Sequence, residues 1–140
     1  MPRPTAIVQR EPRRGGDEQS EIRHRVVMVV DDDAVLLEAM DALMTKWGFS
    51  VLPYGTFENA RTKLTGGVCA DTLLVDVRIG MFNGLQLVHL ARQMDPAMTV
   101  IAMSGFDDPV LRAEAETAGA TFLLKPIEPN ELHKQLSRTL

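Results

Sequence analysis

The chain has 140 residues, a formal net charge of −4, 45% hydrophobic and 24% charged residues, and one cysteine. That size and balance describe one soluble globular domain, with no apolar run long enough for a bilayer, no signal-peptide pattern, and no partner with which Cys69 could form an internal disulfide, which suits a reducing cytoplasm. Residues 26–140 carry nine basic residues against fifteen acids, a balance that argues against direct nucleic-acid binding.

Residues 1–24 form a leader rich in Pro and Gly (Pro2, Pro4, Pro12, Gly15, Gly16), with Arg3, Arg10, Arg13, Arg14 and Arg23 and few large apolar side chains. Such a composition cannot bury enough apolar surface to order itself, so it is expected to be disordered. The globular domain is expected over residues 25–140. Val26–Val30 (VVMVV) is a β-branched run suited to a strand covered on both faces. Three aspartates follow, and Asp33 is read as the cap of a helix over Ala34–Trp47 in which Leu36, Met40, Leu43 and Trp47 recur at helical spacing. Gly48 ends that helix. Phe49–Tyr54 reads as a second strand, and Pro53 points to an edge position.

Thr56 can cap a helix to about Leu64, which Gly66-Gly67 stops. Cys69 reads as a small buried hydrophobe beside a third strand, Thr72–Asp76. A loop with Gly80, Asn83 and Gly84 leads to a helix over Leu85–Met94, then a fourth strand over Met98–Met103. Asp108-Pro109 caps and opens a helix to about Ala118. Thr121–Leu124 is the fifth strand, and Glu128-Pro129 opens the last helix. The eight methionines read mostly as core filler.

Strand and helix thus alternate five times, the pattern of an α/β protein with a doubly wound five-stranded parallel sheet. In such sheets, chemistry gathers at the carboxyl ends of the strands, near the reversal of strand order. Those ends carry Asp31-Asp32, Asp76, Ser104 and Lys125; only the second strand lacks a comparable group. Converging carboxylates repel unless a cation joins them, and hard oxygen ligands with room for water and phosphate suit Mg²⁺. His24, His89 and His133 are scattered, with no zinc-ligand spacing, and His89 and His133 read as surface residues. Lys125 can offset negative charge as a point cation, and Ser104 offers a short donor and acceptor. The set suits phosphoryl transfer to a carboxylate, with Asp76, at the middle strand's end, as the nucleophile that forms an aspartyl phosphate.

At these residues the chain resembles the receiver domain of bacterial two-component response regulators, over about residues 25–140. The motifs are VVMVVDD with Asp31 and Asp32, TLLVDVRIGMFNG with Asp76, VIAMSG with Ser104, and FLLKP with Lys125 and Pro126. The resemblance implies a (βα)5 flavodoxin-like fold and a Mg²⁺ site made by Asp31, Asp32, Asp76 and the backbone carbonyl of Arg78. It implies that Asp76 is the phospho-acceptor, that Ser104 and Lys125 bind the phosphoryl group, that Phe122 is the switch aromatic, and that Lys125-Pro126 is a cis peptide.

The same resemblance implies a regulatory domain rather than an enzyme, one that promotes only its own phosphorylation and slow autodephosphorylation. A histidine kinase or phosphotransfer protein would dock on the first helix (Leu36, Leu37, Met40). A downstream protein or output domain would bind through residues 109–140, and phosphorylation would also allow a homodimer. Two departures stand out. Gly80 occupies a position where the family usually has proline, so the loop Val77–Asn83 is expected to be freer, and Phe122 lacks the hydroxyl of a common tyrosine. Arg78 and Phe106 occupy positions that govern water access, and there they are expected to prolong the phosphorylated state. An aspartyl-phosphate phosphatase or phosphotransferase on a similar sheet is the alternative, but Arg78 stands where those enzymes carry a second aspartate. A non-phosphorylated interaction module is a further alternative, against which the intact acids and lysine argue.

Overall fold

In the computed structural model, which describes residues 25–138, the run VVMVV forms β1 (Val26–Val30), with four of its five residues buried. The expected leader lies outside the described residues, as does His24. Asp33 accepts from the Val35 and Leu36 amides and caps α1 (Ala34–Lys46). There follow β2 (Ser50–Tyr54), α2 (Phe57–Thr65) and β3 (Thr72–Asp76), every residue of which is buried. Two short strands, β4 (Arg78–Ile79) and β5 (Phe82–Asn83), pair antiparallel ahead of α3 (Leu85–Met94). The chain closes with β6 (Thr99–Ser104), α4 (Pro109–Thr117), β7 (Thr121–Leu124) and α5 (Pro129–Ser137).

Five strands form one parallel sheet in the order β2-β1-β3-β6-β7, a doubly wound, flavodoxin-like α/β topology. Strand order reverses between β1 and β3, so Asp31 and Asp76 close neighbouring strands. Because successive strand residues point to opposite faces, β1 feeds two cores. Met28 and Val30 pack in the core that includes Phe57 and Leu64 of α2, Leu87 and Val88 of α3, and Ala115 of α4. Val27 and Val29 pack in the other, with Met40 and Met44 of α1 and Leu132 and Leu136 of α5. β2 takes the edge, where Pro53 withholds no donor from an inner ladder.

Two local expectations need correction. On α1 the buried pair is Met40 and Met44, with Leu36 and Trp47 packed at the margin. Cys69 is only partly buried. Met28, Met40, Met44, Met98 and Met103 are buried, as expected of most methionines here, while Met81 is 99% exposed and Met94 half exposed. The remaining histidines lie on the surface, where each makes a contact. His89 meets Glu114 at 3.3 Å, and the His133 ring stands edge-on to Trp47 with centroids 4.6 Å apart.

Arg92 of α3 fastens the α4 side of the sheet. Its guanidinium donates to Met98 O at 2.5 Å, Pro96 O at 3.1 Å, Ala118 O at 2.9 Å and Gly119 O at 3.0 Å. The last two are carbonyls at the α4 C-terminus, where a cation also suits the helix dipole. Replacing Arg92 with Met keeps the aliphatic stem and strands these acceptors. The expected loss is about 2–3 kcal/mol of stability, read as a lower urea midpoint at unchanged slope.

Candidate functional site

The carboxyl ends of β1, β3, β6 and β7 bring five sequence-derived side chains, Asp31, Asp32, Asp76, Ser104 and Lys125, into one cluster. Asp31 is fully buried, Asp76 and Ser104 are buried, and Asp32 is exposed. Lys125 Nζ donates to Asp31 Oδ2 at 2.8 Å and to Asp76 Oδ2 at 2.7 Å. The Asp33 amide donates to Asp31 Oδ1 and the Arg78 amide to Asp76 Oδ1, each at 2.9 Å. Both buried carboxylates are therefore held from two sides, by an ammonium and by a backbone donor two residues on. Asp33 itself turns to the helix and serves as its cap.

Burial pushes the Asp31 carboxyl above its ordinary range, and the Asp76 charge adds to the effect. Hydrogen bonds from Lys125 and the Asp33 amide oppose that shift without cancelling it. For Lys125, burial alone would lower the pKa, but hydrogen bonds to Asp31 and Asp76 and the attraction of both charges outweigh it. The net shift is upward, so the ammonium is kept.

Carboxylate oxygens of Asp31, Asp32 and Asp76 lie within 4.8 Å of one another. Three carboxylates against one ammonium leave two negative charges without a partner in the cluster. An all-oxygen donor set with that residual charge fits a hard dication, and its small number of ligands leaves room for water, as Mg²⁺ requires. A cavity of about 290 Å³ opens above the cluster, lined by Asp32, Asp76, Arg78, Ser104, Phe106 and Lys125. Ser104 Oγ donates to Phe106 O at 2.9 Å and accepts from the Phe106 amide at 3.0 Å, so the hydroxyl is engaged by its own loop. Phe106 is 62% exposed at the rim, and the Arg78 guanidinium lies 5.2 Å from its ring centroid.

Phe122 is not in this cavity. It is buried in the core on β7, with the Arg112 guanidinium 4.6 Å from its ring centroid. Arg112 in turn reaches Asp107 at 3.1 Å, in the loop after Ser104. The Lys125-Pro126 peptide bond is cis.

The expected free loop over 77–83 is a hairpin instead. Arg78 pairs with Asn83 and Ile79 with Phe82, and the Phe82 ring stacks on Phe57 at 4.6 Å with 12° between planes. At its turn, Gly80 has φ +60° and its amide donates to Asp32 Oδ2 at 2.7 Å, a bond no proline could make. Gly84 is a further constraint that sequence reasoning missed. A Cβ there would fall 1.9 Å from the Asp76 carbonyl oxygen, so only glycine lets the start of α3 approach the end of β3. The Asn-Gly pair at 83–84 signals a turn, but nothing in the sequence reports that approach.

Fold and site together define a doubly wound α/β domain with an acid–lysine pocket at the switch point of its sheet. The family model for the response regulator receiver domain matches residues 27–137, and the chain belongs to that family. Its members are regulatory domains. The transcriptional regulatory protein ZraR of Salmonella typhimurium is 29% identical over 115 residues, which cover 81% of this chain and 26% of that protein. The chain thus spans about a quarter of that relative's length. A receiver protein from Sinorhizobium medicae superposes with a TM-score of 0.76 at 26% identity, covering 83% of this chain and 94% of that one. A CheY-like receiver from Methanospirillum hungatei gives 0.78 at 22% identity, covering 82% and 92%. Among the described residues no helix is long and apolar enough to cross a membrane.

The double role of Lys125 has a measurable consequence. Lys125→Met leaves two buried carboxylates side by side, which costs roughly 3 kcal/mol at neutral pH without divalent metal. Because the Asp31 pKa is raised, the deficit shrinks on acidification as its proton returns. In the unmodified chain the raised Lys125 pKa works the other way. Its contribution is complete below the ordinary lysine value of 10.5 and fades as pH climbs through the higher folded value. Urea unfolding of both proteins across pH checks the two limbs.

Proposed function

We propose that this chain is the phospho-accepting receiver of a two-component pathway, with Asp76 taking a phosphoryl group from a histidine kinase or phosphotransfer protein. The observation that carries the reading is the pair of buried carboxylates, Asp31 and Asp76, on one Lys125 ammonium at the mouth of an acidic cavity. In the transfer, an Asp76 carboxylate oxygen bonds to phosphorus as the phosphorus–nitrogen bond of a phosphohistidine breaks, and that electron pair stays on the imidazole. An ionised carboxylate needs no general base. Lys125 would meet one phosphoryl oxygen once Asp76 carries the acyl phosphate, keeping Asp31 as its second partner. Asp31, Asp32, Asp76 and the Arg78 carbonyl would hold Mg²⁺. When bound, Mg²⁺ supplies charge neutralisation for the phosphoryl oxygens.

The Ser104 hydroxyl, now bound within its own loop, is the group that would turn to the phosphoryl oxygen. Movement of that loop reaches Phe122 through Asp107 and Arg112. The output face is α4, β7 and α5, within residues 109–140, and it serves a downstream domain, partner or second copy. The kinase approaches over α1, where Leu36 and Leu37 are half-buried and Met40 is buried. No acid stands at Arg78 to act as the general acid of a phosphatase.

Incubation with acetyl phosphate and Mg²⁺ is expected to phosphorylate the chain at one site, with Asp76→Asn unlabelled and chelation of Mg²⁺ abolishing the reaction. Label that persists in Asp76→Asn, or turnover of added phosphoesters, overturns the reading. Arg78 and Phe106 stacked at the cavity rim obstruct in-line water. Phe106→Ala is therefore expected to shorten the phosphorylated lifetime by roughly tenfold, equivalent to about 1.4 kcal/mol of barrier. The decay of phosphoprotein on phosphate-affinity gels measures it.

A further inference from the structure

Three carboxylates compose the cation site, and they are not held alike. Asp31 and Asp76 are buried, and each is fixed by Lys125 and by a local backbone amide. Asp32 is exposed, and among the described residues it bonds neither to Lys125 nor to an amide of its own turn. Among the described residues its carboxylate has one donor, the Gly80 amide at 2.7 Å, 48 positions along the chain. That bond occupies Oδ2 and leaves Oδ1 without a hydrogen bond. An exposed aspartate at a strand end otherwise samples several staggered rotamers, most of them facing bulk water. Holding it toward its two neighbours removes an ordering cost that a cation would otherwise meet on binding.

The amide reaches Asp32 only through the local backbone of the hairpin. Gly80 stands at φ +60°, between β4 and β5. Buried Ile79 on one side and the Phe82–Phe57 stack on the other fix the hairpin against the body of the domain. Proline at this position would lose the N–H and could not adopt that φ. A Cβ on Gly80 meets nothing within 4 Å, so a residue that tolerates the left-handed region keeps both the donor and the fit.

We propose that the Gly80 amide is a positioning group for the cation site, holding the Asp32 carboxylate toward Asp31 and Asp76 and thereby coupling cation binding to the β4–β5 hairpin. This rests on the Mg²⁺-dependent reading of the preceding section. Coupling is reciprocal: a hairpin that presents Asp32 favours the cation, and the cation favours that hairpin. Order at its tip, where Met81 is wholly exposed, then depends on cation occupancy.

Titration with MgCl2, followed by backbone amide NMR, tests the proposal on the full chain, on Gly80→Pro and Gly80→Asn, and on Asp31→Ala as a site control. Gly80→Pro is expected to weaken Mg²⁺ affinity about tenfold, the effect of one lost hydrogen bond to a charged acceptor. Gly80→Asn, which keeps the N–H and tolerates positive φ, is expected to stay within about twofold of the unmodified chain. Solvent exchange of the Gly80 amide in the unmodified chain should slow severalfold at saturating Mg²⁺. That measurement decides the question even if Gly80→Pro does not fold. Unchanged affinity in Gly80→Pro, or Gly80 exchange that stays as fast with Mg²⁺, overturns the positioning role while leaving Asp31-dependent binding intact. Absence of any Asp31-dependent Mg²⁺ binding overturns the underlying reading as well.

Discussion

The bridge from Lys125 to Asp31 and Asp76 is the contact on which the rest of the site depends. Two carboxylates, one fully and one almost fully out of solvent, share one ammonium at 2.7–2.8 Å. Without it the two carboxylates would face each other with no ammonium between them. Strand order sets the reach this demands. β7 lies two places from β3 with β6 between them, so the lysine and the aspartate side chain together bridge about 10 Å of sheet, two strand spacings. The long lysine stem and its hydrogen bond to Asp76 close that gap.

That arrangement requires the sheet to be covered on both faces. The alternation in β1, with Met28 and Val30 to one core and Val27 and Val29 to the other, makes the strand a fixed rod from which Asp31 and Asp32 emerge. β3 is buried along its whole length, so Asp76 has no freedom to retreat into water. The same low dielectric that raises the Asp31 pKa strengthens every interaction at the cavity. The fold thus gathers three carboxylates around a single ammonium in a partly buried site.

Much of this is legible in the chain. VVMVV followed by acids, TLLVD, and the Asp-Pro and Glu-Pro helix starts each carry a local physical signal, and the elements fall where those signals stand. Caps at Asp33, Thr56 and Asp108 read directly because the donors they satisfy lie two or three residues away. The hairpin after Asp76 does not read this way. It depends on Phe82 finding Phe57 and on the Gly80 amide finding Asp32 across 48 residues. Gly84 and Arg92 are equally silent in the sequence, since one is needed for the space beside Asp76 and the other for four distant carbonyls.

By itself the sequence determined the alternation of strand and helix, the strand ends that carry Asp31, Asp32, Asp76, Ser104 and Lys125, and the resemblance those residues support. Local propensity and periodicity act over a few residues, so they survive translation into a single string. Only the tertiary structure decided which carboxylates are buried, which of them Lys125 grips, where Arg112 lies against Phe122, and how Gly80 meets Asp32. Those outcomes come from packing and desolvation between residues far apart in the chain, and such forces act only once the sheet has brought the strand ends together.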